Sequence, residues 1–251
     1  MPARAFIALA LALATARAGA ATAESLATVQ ARLQRAAAPW CERLSERGAD
    51  GVRRCTVTLK VWPGDPVRAL SFMGDVIVSQ GLLDRSTEAE LALVAGHELA
   101  HLVLGHPLTP AALASLPVEM RPLAERTSVP PHEDTPTDRL QLELDADRLG
   151  LFFAGLAGYP VQALAEGWPA FIGRLPIAPQ TGATTHPASA VRTGELREAA
   201  REFCGRGERA EPLMPALARL QPRHEADIDA LREQQARLPL AAVCRATTSA
   251  P

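Results

Sequence analysis

The stretch His97-Glu98-Leu99-Ala100-His101 places two imidazoles four residues apart with a carboxylate beside the first. On a helix, side chains at that spacing stack on one face, so both rings reach a single ion while Glu98 stands next to it. Leu91, Val94 and Leu104 share this face. Two imidazoles on an apolar stripe need partners, and a metal ion supplies one for both. Zinc takes neutral imidazole nitrogens readily and leaves a coordination position open. Glu98 then has the place of a general base that activates water for attack on a carbonyl.

Outward from this stretch, Thr87 followed by Glu90 is a capping-box signature, which predicts a helix over about 88–105. Upstream, the alternation of Val57, Leu59 and Val61 predicts a strand, and Pro63-Gly64-Asp65-Pro66 a turn. Short strands are expected at 68–73 and 75–80. Leu26, Val29, Leu33, Ala37, Trp40 and Leu44 recur at helical spacing and predict an amphipathic helix over 24–46. Residues 107–136 hold seven prolines and little periodicity, which reads as a long loop or a set of short helices.

A second helix is expected over 137–157, ending at Gly158, and it offers the third ligand a catalytic metal needs. Leu140, Glu143, Leu144, Asp147 and Leu151 fall on one of its faces. Glu143 is the candidate ligand. Asp147, one turn on, is placed to accept a hydrogen bond from a ligand imidazole. A Pro- and Thr-rich segment over 176–188 then precedes helices expected at 190–203 and 211–237.

Composition bounds the rest. The chain has 251 residues, 47% hydrophobic, and a net charge of -2, the profile of a globular protein with one sizeable core. No basic excess points to nucleic acid, and one Tyr with six Phe argues against a stacking surface. Arg4, the apolar run Ala5–Ala16 and the small residues up to Ala23 read as a secretory signal peptide over 1–23, the run being short of the roughly 20 residues a spanning helix needs. One domain is expected over 24–251. The four cysteines hold no C-x-x-C pair; in an oxidising compartment they are expected to pair, with Cys41–Cys55 and Cys204–Cys244 preferred among three connectivities.

H-E-x-x-H followed some forty residues later by the E-x-x-A-D of Glu143–Asp147 resembles the HtpX-like and CAAX-prenyl-protease-like zinc metallopeptidases. The resemblance extends to Asp75–Leu83, to Glu88–Ala92, to Ala146–Gly150, to Ala157–Pro160 and to Thr185-His186-Pro187 with Arg192, about residues 65 to 195 in all. It implies an α+β fold, a mainly helical zincin-type domain with a small β-sheet. It implies one zinc ion on His97, His101 and Glu143, with Glu98 as the base. His186 would be a fourth ligand or gate, and Arg192 would hold it or stabilise an oxyanion. The strand with Val76, Ile77 and Val78 would be the edge against which a peptide substrate pairs.

The activity so implied is hydrolysis of peptide bonds in polypeptides, in the periplasm or beyond, with unfolded or misassembled envelope proteins as substrates. The chain departs from the resemblance in having neither spanning helices nor room for a helical repeat domain after 200. Two other readings stay open: a zinc-cleft protein that holds clients and cleaves rarely, and a structural zinc protein closed by His186. His106, His132 and His224 read as helix-end or solvated residues. Tyr159, after Gly158, reads as a helix-end packing residue rather than an oxyanion donor.

Overall fold

The computed structural model describes residues 21–47, 58–64, 66–72, 74–104, 106, 136–176, 190–205, 233, 237–238 and 240–244. Its elements in chain order are α1 (Ala23–Arg47), β1 (Thr58–Trp62), β2 (Ala69–Phe72), β3 (Asp75–Ser79), α2 (Gln80–Leu83), α3 (Glu88–Leu104), α4 (Pro136–Leu156), α5 (Val161–Arg174), α6 (Ala190–Cys204) and α7 (Leu240–Val243). The architecture is the expected α+β: mainly helical, with one small mixed sheet.

The sheet order is β1-β3-β2, with β1 parallel and β2 antiparallel to β3. This corrects one expectation. Val76, Ile77 and Val78 are not an edge; their strand is central, and all three side chains are buried. The reason is legible in the residues: three consecutive apolar side chains cover both faces of a strand, which suits the middle of a sheet. β1 departs from simple alternation, because Leu59 is buried while Val61 is exposed. Gly74, with φ of +86°, makes the tight return between β2 and β3 in a backbone region L side chains rarely adopt.

α3 starts as its sequence dictates. The Thr87 backbone N–H donates to Glu90 Oε2 at 2.8 Å, and the Glu90 N–H donates back to Thr87 Oγ1 at 3.3 Å. Two N–H groups with no helical partner are thereby satisfied. α3 is buried along most of its length and packs on α4. The two helices touch through glycine. A Cβ at Gly150 would lie 2.5 Å from the backbone nitrogen of His97, and one at Gly96 2.7 Å from the Gly150 carbonyl oxygen. The backbones therefore meet with no side chain between them, one residue before the first histidine.

α5 has no counterpart in the sequence reading. Val161, Leu164, Ala165, Trp168 and Phe171 do recur at helical spacing, but Pro169 sits inside the run. Proline removes one helical hydrogen bond and crowds the preceding turn, so the pattern reads as broken although the helix continues. α2 is likewise unexpected; Ser79 caps it by accepting from the Leu82 N–H at 3.1 Å. α1 lays Val29, Leu33, Ala36 and Ala37 on the core. α6 is tied to α7 by the disulfide Cys204–Cys244, as preferred from the sequence. Cys55 and most of 211–237 lie outside the described residues, as do His132, His186 and His224. Among the described residues no helix is long and apolar enough to cross a membrane.

Candidate metal centre

Two helices build the site. α3 carries His97, Glu98 and His101, and α4 carries Glu143 and Asp147. His97, Glu98, Glu143 and Asp147 are all buried, and His101 is nearly so. His97 Nε2 lies 3.1 Å from His101 Nε2 and 3.4 Å from Glu143 Oε2; His101 Nε2 lies 3.6 Å from Glu143 Oε1. One donor atom from each of the three residues falls within 4.8 Å of the others.

These separations decide what the cluster fits. Ligands about 2.0 Å from a tetrahedral ion stand about 3.3 Å apart; the two imidazole nitrogens at 3.1 Å meet that spacing, and the Glu143 carboxylate offers one oxygen 3.4 Å from His97 Nε2 and the other 3.6 Å from His101 Nε2. Charge agrees with geometry. Among the described residues, the carboxyl groups of Glu98, Glu143 and Asp147 are buried close to a single buried guanidinium, that of Arg192, so acidic groups outnumber basic side chains there. A divalent cation would offset such an excess.

Each imidazole is held from behind. His97 Nδ1 lies 2.9 Å from Asp147 Oδ1. Asp147 is in turn gripped by Arg192, whose Nε and Nη2 donate to its two oxygens at 2.6 Å each. The Arg192 Nη1 lies 3.4 Å from Glu143 Oε2, and its guanidinium sits 5.7 Å from the Trp168 ring centre. Of the two roles foreseen for Arg192, the structure describes neither; the side chain fixes the carboxylate that orients His97.

Burial disfavours a charged His97, but Asp147 and Glu143 outweigh it and push its pKa up to about 10. Burial raises and Arg192, then His97, lowers the Asp147 pKa, and the net direction is down. With no metal, the site thus holds a proton on His97 where the ion would bind.

Sequence reasoning missed one residue. His106, expected only as a helix-end group, does close the helix, its backbone N–H donating to the His101 carbonyl at 3.0 Å. Its ring also turns back, with Nδ1 2.8 Å from His101 Nδ1. The available signal was the sequence interval: a histidine five residues after His101, just past the helix end. Tyr159 behaves as read, its hydroxyl donating to Glu88 Oε1 at 3.1 Å at the start of α3.

Fold and site together define a mainly helical α+β protein with a two-histidine, one-carboxylate cluster on neighbouring helices. Residues 69–121 match the model of Peptidase family M48. That match covers those residues alone and supports a metallopeptidase, a hydrolytic enzyme. The matched segment contains His97, Glu98, His101 and His106 and ends before Glu143. Searches of curated proteins and of solved structures each return no match.

Proposed function

We propose that this metallopeptidase is an exported zinc endopeptidase that hydrolyses internal peptide bonds of polypeptides, with His97, His101 and Glu143 as ligands and Glu98 as general base. The observation that carries the reading is the gathering of one donor atom each from His97, His101 and Glu143 within 4.8 Å of one another, with Glu98 adjacent to His97 on the same buried turn. A zinc ion held there would polarise the scissile carbonyl and acidify water. The chain's own part is to orient the imidazoles, that of His97 through Asp147 with Arg192 behind it. Glu98 takes a proton from the attacking water at its carboxylate and passes it to the departing amine.

With β3 closed on both sides, substrate pairing moves to the outer side of β2, which packs on α3. The outer side of β1 is partly engaged, since the Leu59 N–H donates to Gln30 Oε1 at 2.8 Å. The Cys204–Cys244 disulfide supports folding in an oxidising compartment, the periplasm or outside the cell, with a single domain over 24–251 and envelope quality control as its setting. His186 remains part of this proposal as a gate over the metal.

Casein proteolysis by purified mature protein, with metal content measured in parallel, tests the reading. Wild type should carry one zinc and cleave. Glu98→Gln should keep the zinc and lose activity by a factor on the order of 10²–10⁴. His186→Ala should cleave faster. Full zinc occupancy with no cleavage by any of the three would overturn the enzyme reading and favour client binding.

A further inference from the structure

His101 and His106 share a short contact that the chemistry above does not use. Nδ1 of each ring lies 2.8 Å from Nδ1 of the other, with ring centres 5.0 Å apart at 66°. Two ring nitrogens at that distance require one proton between them. Nε2 of His101 is the atom directed at His97 and Glu143, so its lone pair belongs to the metal position. His101 must then carry its proton on Nδ1. His106 must accept it through the lone pair on its own Nδ1, which leaves its proton on Nε2.

From this pairing we infer that His106 is a positioning residue for the metal centre, selecting the tautomer and ring orientation of His101. The inference rests on His97, His101 and Glu143 being the ligands. His106 is fixed for the task, because its backbone N–H is committed to the His101 carbonyl at 3.0 Å and it sits mostly out of water. The two ligand imidazoles are thus held by different partners. His97 leans on a carboxylate, itself neutralised by Arg192, and His101 leans on a neutral ring. A carboxylate partner makes an imidazole a stronger donor than a neutral acceptor does, so His97 is the firmer ligand of the pair. The other carboxylate near His101, Glu143, lies on its metal-facing nitrogen.

The test uses the purified full chain and zinc alone, with affinity read by chelator competition. His106→Phe keeps the ring volume and removes the acceptor; it should weaken zinc 10- to 100-fold. His106→Asn sets an amide oxygen near the place of Nδ1 and should recover most of that loss. Thermal unfolding of the metal-free variants separates misfolding from weakened binding, and the Asn variant carries the test if the Phe variant does not fold. In the zinc-loaded wild type, nitrogen NMR of the histidines should show His101 protonated at Nδ1 and His106 at Nε2. Wild-type affinity in folded His106→Phe, or the opposite tautomer at His106, overturns this inference while leaving the zinc site standing. Failure of the wild type itself to bind zinc overturns both.

Discussion

At the scale of single residues, the site is a set of buried groups each satisfied by another. Buried charges are costly unless paired, and Arg192, Asp147 and His97 form an unbroken series of such pairs leading to the metal position. The proton on His97 makes a checkable consequence. Its pKa stands near 10 in the metal-free protein against an ordinary 6.5. The raised value means that its stabilising contribution is full below pH about 6.5 and is lost as pH rises through about 10. A zinc ion held through His97 would displace that proton, so zinc binding at pH 8 should release close to one proton from His97, and affinity should rise with pH up to about 10. Calorimetric titration in buffers of different ionisation enthalpy reads the proton directly; release of none would contradict the pairing with Asp147. His97, Glu98 and His101 were legible in sequence because one short motif on one helix holds them. His106 was not, because whether a ring just past a helix end folds back depends on the path of the chain there.

At the scale of elements, the distance between α3 and α4 is set where Gly96 meets Gly150. Since α3 supplies His97 and α4 supplies Glu143, that crossing sets how far apart these candidate ligands stand. Gly150→Ala would force a methyl group to 2.5 Å from the His97 backbone nitrogen, and backbone cannot yield as a side-chain tip does. The expected result is a loss of about 1–3 kcal/mol in denaturant unfolding, together with weakened zinc binding as the helices part. An alanine variant with unchanged stability and affinity would show that the crossing tolerates a side chain and does not fix the site. Helix α3 was readable because local signals agreed: the capping box, the apolar stripe and the histidine interval. Helix α5 was not, because Pro169 contradicts the local pattern and tertiary packing of Phe171 and Leu164 overrides it.

At the scale of the whole molecule, α6 closes the site from outside the metal-binding pair. It brings Arg192 under Asp147, packs Phe203 on Phe152 with ring centres 5.0 Å apart, and sets Phe203 against Gly155, where a Cβ would lie 2.5 Å from the ring. Arg148 of α4 reaches back to Glu195 and Glu202 of α6. The disulfide joins α6 to a residue 40 positions on, and the chain-entropy account gives a loop of that length about 4 kcal/mol. Replacing Cys204 and Cys244 together by Ser should lower stability by about that amount in denaturant titration. An unchanged midpoint would mean that the region beyond α6 does not feel the cross-link. Zinc affinity in the same variant reports whether Arg192 keeps its place without it.

The sequence by itself determined the start of α3, the candidate ligand pair beside its candidate base, the second helix with its carboxylates, and the preferred Cys204–Cys244 pairing. These follow from periodicity, capping and residue chemistry, which act over a few neighbours along the chain. Only the tertiary structure decided that β3 lies between two strands, that Arg192 grips Asp147 across 45 positions, that two glycines let the helices touch, and that His106 turns onto His101. Each of these depends on which distant surfaces meet, and that is set by the packing of the whole core, which no local pattern encodes.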